Sequence, residues 1–125
     1  MKLLVVDDSS VTRKMIKAVA DVLQMETEDA QDGIEALEKL SKSYGEIDLI
    51  LLDWNMPEMS GYDVLVEIKG NEKYKDIPVM MVTTEGQQNC IVSAVRAGAD
   101  NYLVKPFTVE EMESKIVECL GIGMI

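Results

Sequence analysis

Four short, nearly unbroken apolar runs punctuate the chain: Leu3 to Val6, Ile47 to Leu52, Val79 to Val82 and Tyr102 to Val104. Runs of this length, rich in Val, Ile and Leu and lacking polar alternation, predict strands buried on both faces. A more polar stretch, Glu26 to Ala30, is a fifth candidate strand, expected near an edge. The segments between them carry apolar residues three and four apart: Val11, Met15, Val19 and Val22, then Ile34, Leu37 and Leu40. Val64, Leu65 and Ile68 follow, then Ile91 and Val95, and last Met112, Ile116 and Leu120. Such spacing predicts five amphipathic helices. Thr108 with Glu111 fits a capping box at the start of the last one, and Gly70 and Gly98 suit helix exits.

Strand and helix alternate with connections too long for hairpins, which requires crossovers and therefore parallel strands. The expected fold is a doubly wound, five-stranded parallel sheet in a three-layer α/β/α sandwich of the flavodoxin-like class. At 125 residues the chain has room for one domain, and residues 1–125 are read as that domain, without repeat or linker.

Charge narrows the function. Twelve Lys and Arg against 23 Asp and Glu give −11 with no basic cluster, a surface that repels nucleic-acid backbones. The N-terminal apolar run is far too short for a signal peptide or a membrane span, so the expected location is cytoplasmic. Two cysteines far apart and no histidine leave no zinc site, while a hard cation bound by oxygens stays open. The nine methionines are read as adaptable core filler, not as soft-metal ligands.

In an open doubly wound sheet, ligands bind beyond the carboxyl ends of the strands, where the winding reverses. Strand one ends in Asp7 and Asp8, strand three in Asp53, strand four in Thr83, and strand five in Lys105 before Pro106. Singly, the first two acids could be helix caps and Asp53 a turn residue. Together at one sheet edge, three carboxylates repel unless a cation sits among them. Mg²⁺ uses one or two carboxylates, waters and a phosphate oxygen, and Lys105 and Thr83 suit the remaining oxygens of a bound phosphate. Asp53 could act as the nucleophile and form an aspartyl-phosphate. The chain has no histidine of its own, so the phosphodonor must come from elsewhere.

The segments LLVVDDSSVTRKM, DLILLDWNMPEMSGYDVL, VMMVTTE and AGADNYLVKPF resemble, in order and spacing over essentially the whole chain, the receiver domains of two-component response regulators, above all the chemotaxis (CheY-like) type. The resemblance implies that Asp53 is the phosphoacceptor. Mg²⁺, with Mn²⁺ as a substitute, would be held by Asp8, Asp53 and the Asn55 carbonyl, with Asp7 assisting through water. Thr83 and Lys105 would contact the phosphoryl group. Thr83 and Tyr102 would form the switch, Tyr102 turning from exposed to buried, and Asn55 and Glu85 would tune dephosphorylation. A cis bond is expected between Lys105 and Pro106. Implied partners are a sensor histidine kinase, a downstream protein such as a flagellar motor switch protein, and a phosphatase.

Two residues depart from the family pattern. Thr84 is bulkier than the small residue common after the switch threonine, and Ser60 replaces a frequent Asp before Gly61. The reading is of a signalling protein and not an enzyme. A Mg²⁺-dependent phosphohydrolase with an Asp nucleophile is disfavoured because its acids fall as DxD after the first strand. A flavin or nucleotide module is disfavoured because no Gly-rich phosphate loop is present. A phosphorelay carrier, or a receiver excised from a larger regulator, is the alternative within the family.

Overall fold

The computed structural model describes residues 1–121. Its elements are β1 (Lys2–Val6), α1 (Ser10–Val22), β2 (Glu26–Ala30), α2 (Gly33–Ser43), a 3₁₀ turn (Tyr44–Glu46), β3 (Leu49–Leu52), α3 (Gly61–Lys69), β4 (Val79–Thr83), α4 (Gln88–Arg96), β5 (Asn101–Val104) and α5 (Val109–Leu120). The five strands form one sheet in the order β2-β1-β3-β4-β5, every pair parallel. The polar strand β2 is an edge, as its composition predicts.

Alternate residues of each apolar run serve opposite faces, as the pleat dictates. Leu4, Val6, Ile50, Leu52, Val79 and Met81 join the core beneath α2, α3 and α4. Leu3, Val5, Leu49, Leu51, Met80 and Val82 join the one beneath α1 and α5. Continuous hydrophobicity is therefore the sequence trace of two cores sharing one sheet. The helix starts are set by side-chain caps from Ser9, Asp32, Ser60 and Thr108, the last in a full capping box with Glu111. Gly70 caps α3 with ordinary helical φ, while Gly98, just past α4, takes φ 107.

The helical stripes need correction. In α1 the buried residues are Ile16, Val19 and Ala20, whereas Val11 and Val22 are each 70% exposed and Met15 41%. The spacing of Val11, Met15 and Val22 is helical, but it marks the neighbouring face, because small Ala20 lets α1 lie close to the sheet. Ile34 and Val95 are likewise exposed, and Ala94 is the buried residue of α4.

Candidate functional site

Strand β1 leads through α1 to β2 on one side, and the chain then crosses to β3 on the other side of β1. The crevice opened by this reversal lies at the carboxyl ends of β1 and β3, where Asp7, Asp8 and Asp53 follow their strands. One carboxylate oxygen from each of the three lies within 4.8 Å of the others. Asp7 and Asp53 are buried and Asp8 is exposed, so the cluster has one open side. Three hard oxygen donors so arranged can hold a divalent cation such as Mg²⁺ or Mn²⁺, and the open side admits water or a phosphate oxygen.

Lys105, delivered by the end of β5, places its Nζ 2.8 Å from Asp7 Oδ2 and 3.3 Å from Asp53 Oδ2. It thus supplies a cation to the cluster from within the chain. Burial alone would push this ammonium down, but the hydrogen bond to Asp7 and the charges of Asp53 and Asp7 outweigh it and raise its pKa. At Asp7, by contrast, burial prevails and raises the carboxyl above the ordinary 3.8. Hydrogen bonds from Lys105 and the Ser9 amide oppose that rise, and the Asp53 charge adds to it. An ion pair alone would lower Asp7; at 2% exposure its lost hydration prevails. The peptide between Lys105 and Pro106 is cis, as expected.

Asp53 sits at the root of a tight loop. Its amide donates to Val6 O at 3.0 Å, and Asp53 Oδ1 accepts the Asn55 amide at 3.3 Å. The loop returns so closely that a Cβ on Gly61 would lie 1.8 Å from the Asp53 carbonyl oxygen, so only glycine fits there. Ser60 performs the capping task of the commoner Asp, its hydroxyl accepting from the Asp63 amide at 3.2 Å. Glu58, at the loop tip, holds φ 67.

The remaining expected residues join the same network through Glu85. Its carboxylate accepts from Asn55 Nδ2 at 2.8 Å, and its amide donates to Thr83 Oγ1 at 3.4 Å. Its carbonyl accepts the Tyr102 hydroxyl. Tyr102 is half-buried, with its hydroxyl already tied to the β4–α4 connection, and its pKa is pushed up to about 12 by burial and by the charges of Cys90, Glu85 and Asp53. Thr83 is fully buried, whereas Thr84 is exposed. All eight residues singled out from the sequence therefore meet at one sheet edge: Asp7, Asp8, Asp53 and Lys105 as a charged centre, and Asn55, Glu85, Thr83 and Tyr102 as a connected rim. Sequence reasoning missed Arg13, whose Nη1 donates to the Asp7 carbonyl at 2.7 Å while its Nε faces Asp29 at 3.3 Å. A cation one helical turn after a capping serine was the available signal. A groove of about 450 Å³ lies elsewhere, between α1 and α5, and contains none of these residues.

Comparison with known proteins gives a consistent result. The family described as response regulator receiver domain matches residues 3–117. A chemotaxis protein CheY homolog of Campylobacter jejuni is 42% identical over 124 residues, covering 98% of this chain and 95% of that protein. Among solved structures, Vibrio cholerae chemotaxis protein CheY4 is similar with a TM-score of 0.88 and 35% identity, over 95% of this chain and 98% of that one. The Mn²⁺-bound form of the response regulator Rcp1 is similar with a TM-score of 0.85 and 26% identity, over 99% and 97%. With a matched segment that spans both cores and every residue of the acidic centre, the chain belongs to the response regulator receiver domain family.

Proposed function

We propose that this protein is a phosphorylation switch of a two-component chemotaxis pathway, with Asp53 as the phosphoacceptor. The observation that carries the reading is the partly buried Lys105 ammonium shared by the buried Asp7 and Asp53 beside the exposed Asp8. That arrangement sets a cation against the Asp53 carboxylate and leaves cationic and hydrogen-bonding groups ready for incoming phosphate. Asp7, Asp8, Asp53 and the Asn55 carbonyl are the groups that would hold Mg²⁺. When bound, the ion would neutralise charge on the transferring phosphoryl group.

In the forward step an Asp53 carboxylate oxygen forms a bond to phosphorus while the bond from phosphorus to a kinase histidine nitrogen breaks. That nitrogen leaves with the bonding pair. Lys105 then turns from the carboxylates to a phosphoryl oxygen, and the Thr83 hydroxyl donates to another. Freed from the Glu85 amide, Thr83 would carry the β4–α4 connection with it, and the Tyr102 hydroxyl on the Glu85 carbonyl would follow. In the reverse step water attacks phosphorus and Asp53 departs as carboxylate, giving inorganic phosphate. The Asn55–Glu85 hydrogen bond, held beside Asp53 by the Asn55 amide that donates to Asp53 Oδ1, is proposed to set the rate of that attack.

A sensor histidine kinase as donor, a flagellar motor switch protein as target, a phosphatase for termination and a cytoplasmic setting complete the proposal. It is supported by the similarity to chemotaxis proteins and by the finding that no described helix is long and apolar enough to cross a membrane. Trp54, half-buried next to Asp53 with its ring 5.3 Å from Tyr62, provides the assay. Its fluorescence is expected to change with Mg²⁺ and again with acetyl phosphate, with one phosphate appearing on Asp53. An unaltered acetyl phosphate response in Asp53→Asn, or phosphate mapped to another residue, refutes the assignment.

A further inference from the structure

We propose that the groove between the end of α1 and the outer face of α5 docks a basic amphipathic segment of a partner protein. Its position is apart from Asp53, and the inference does not depend on the phosphorylation chemistry. The groove is lined by Leu23, Glu110, Glu113, Ser114, Val117 and Glu118. The five α5 residues fall at helical offsets of zero, three, four, seven and eight, so they share one face, while Met112 and Ile116 point to the core. Leu23 and Val117 give the groove an apolar floor, and three carboxylates form its rim.

The negative charge of that rim is not offset within the fold. Lys115, the only cation of α5, donates to Asn101 Oδ1 at 3.3 Å. In α1, Arg13 is committed to Asp29 and Lys17 to Asp21, while Lys14 is exposed and pairs with none of the rim carboxylates. Among the described residues none of Glu110, Glu113 and Glu118 is in an ion pair. Residues 122–125 are Ile-Gly-Met-Ile and carry no basic side chain. An ordinary solvated acidic face would be convex and polar throughout; this one is concave and has apolar side chains at its base.

The chemistry of the occupant follows by elimination. Anionic lipid and nucleic acid are repelled by the rim and by a chain of net charge −11. A single metal ion does not fit, because the only cluster of three or more convergent acidic ligands among the described residues is that of Asp7, Asp8 and Asp53. A second copy paired through this face would set three carboxylates against three. A segment with Leu-like residues at helical spacing and Lys or Arg along its flanks satisfies both floor and rim. Such docking tethers the protein whatever the state of Asp53.

The test uses a labelled helical peptide of Leu and Lys in amphipathic order, with a scrambled peptide of the same composition as control, read by fluorescence anisotropy against the full chain. The variant E110Q/E113Q/E118Q and the charge-preserving Val117→Ser are each expected to weaken binding roughly tenfold. A distant triple, E46Q/E67Q/D76Q, removes equal charge from exposed positions and should change binding less than about twofold. Circular dichroism and the Trp54 response to Mg²⁺ verify that each variant is folded. Equal loss from both triples, indifference to Val117→Ser, or equal binding of the scrambled peptide overturns the proposal. So does self-association through this face in sedimentation, or a tighter peptide complex after truncation beyond Gly121, which would make the chain's own tail the occupant.

Discussion

Replacing Lys105 by Met removes the one ammonium that Asp7 and Asp53 share, at 2.8 and 3.3 Å, and leaves both carboxylates buried at the end of the sheet. With their oxygens within 4.8 Å, two unit charges repel by about 3.5 kcal/mol at an effective dielectric of about 20. Removing one partner of a buried ion pair generally costs about 3–5 kcal/mol, so the two routes agree on a loss near 3 kcal/mol. For a domain of this size that lowers Tm by roughly 10 °C in metal-free buffer. The loss depends on ionised carboxylates. Asp7 already has a folded pKa above its unfolded value, and without Lys105 it rises further. A raised carboxyl favours folding at pH below the unfolded 3.8 and loses that contribution as pH climbs through the folded value, so the variant's deficit should be full at pH 7 and small near pH 4. Mg²⁺ should restore most of it, since a ligand at about 100 times its Kd returns about 2.7 kcal/mol. Adding Asp7→Asn should also recover stability, giving a coupling between positions 7 and 105 of opposite sign to either single loss. Urea denaturation at both pH values, with and without Mg²⁺, measures all of this. A deficit indifferent to pH, to Mg²⁺ and to Asp7→Asn would show that Lys105 acts by packing and not by charge.

Other outcomes follow from single contacts. Gly61→Ala drives a Cβ into the Asp53 carbonyl at 1.8 Å, so denaturation should show a loss of about 3 kcal/mol or more together with loss of the Trp54 response; a loss under about 1 kcal/mol would contradict the loop geometry. Glu58→Gly relieves φ 67, a conformation that costs a side-chain-bearing residue about 1 kcal/mol, partly offset by the entropy of glycine. A net gain of about 0.5 kcal/mol in urea titrations is expected, and a destabilised variant would mean that Glu58 makes compensating contacts. Mg²⁺ binding requires an ionised Asp7, so Mg²⁺ affinity followed by Trp54 fluorescence should fall on acidification at a pH above the ordinary carboxylate value of 3.8. Asp7→Asn should weaken binding and flatten that profile; a profile unchanged by the substitution would remove Asp7 from the site.

How much of this was legible beforehand varies with the physical origin of each feature. The apolar runs Leu3 to Val6 and Val79 to Val82 come from burial on two faces, which leaves a direct mark on composition. The apolar run Tyr102 to Val104, also expected to be buried on both faces, is instead the second edge strand, with Leu103 its buried residue and Val104 38% exposed. The capping box at Thr108 and the residues after each strand are equally local, so the candidate site could be assembled by asking which side chains stand at strand ends. Helix faces were less legible. In α1 the spacing of Val11, Met15 and Val22 points to the wrong side, because the periodicity of apolar residues reports a stripe but not what lies against it.

Residue type and short spacing suffice for the alternation of strand and helix, the two-faced burial of the three central strands and the placing of Asp7, Asp8, Asp53, Thr83 and Lys105 at strand termini. Tertiary structure alone decided that Lys105, 98 residues from Asp7 and 52 from Asp53, bridges the two. It also decided that Glu85 ties Asn55 to Thr83 and Tyr102, and that Leu23 meets the acidic face of α5 in a groove. Strand order and register create those meetings, and they arise from the packing of elements far apart in the chain, which no local pattern encodes.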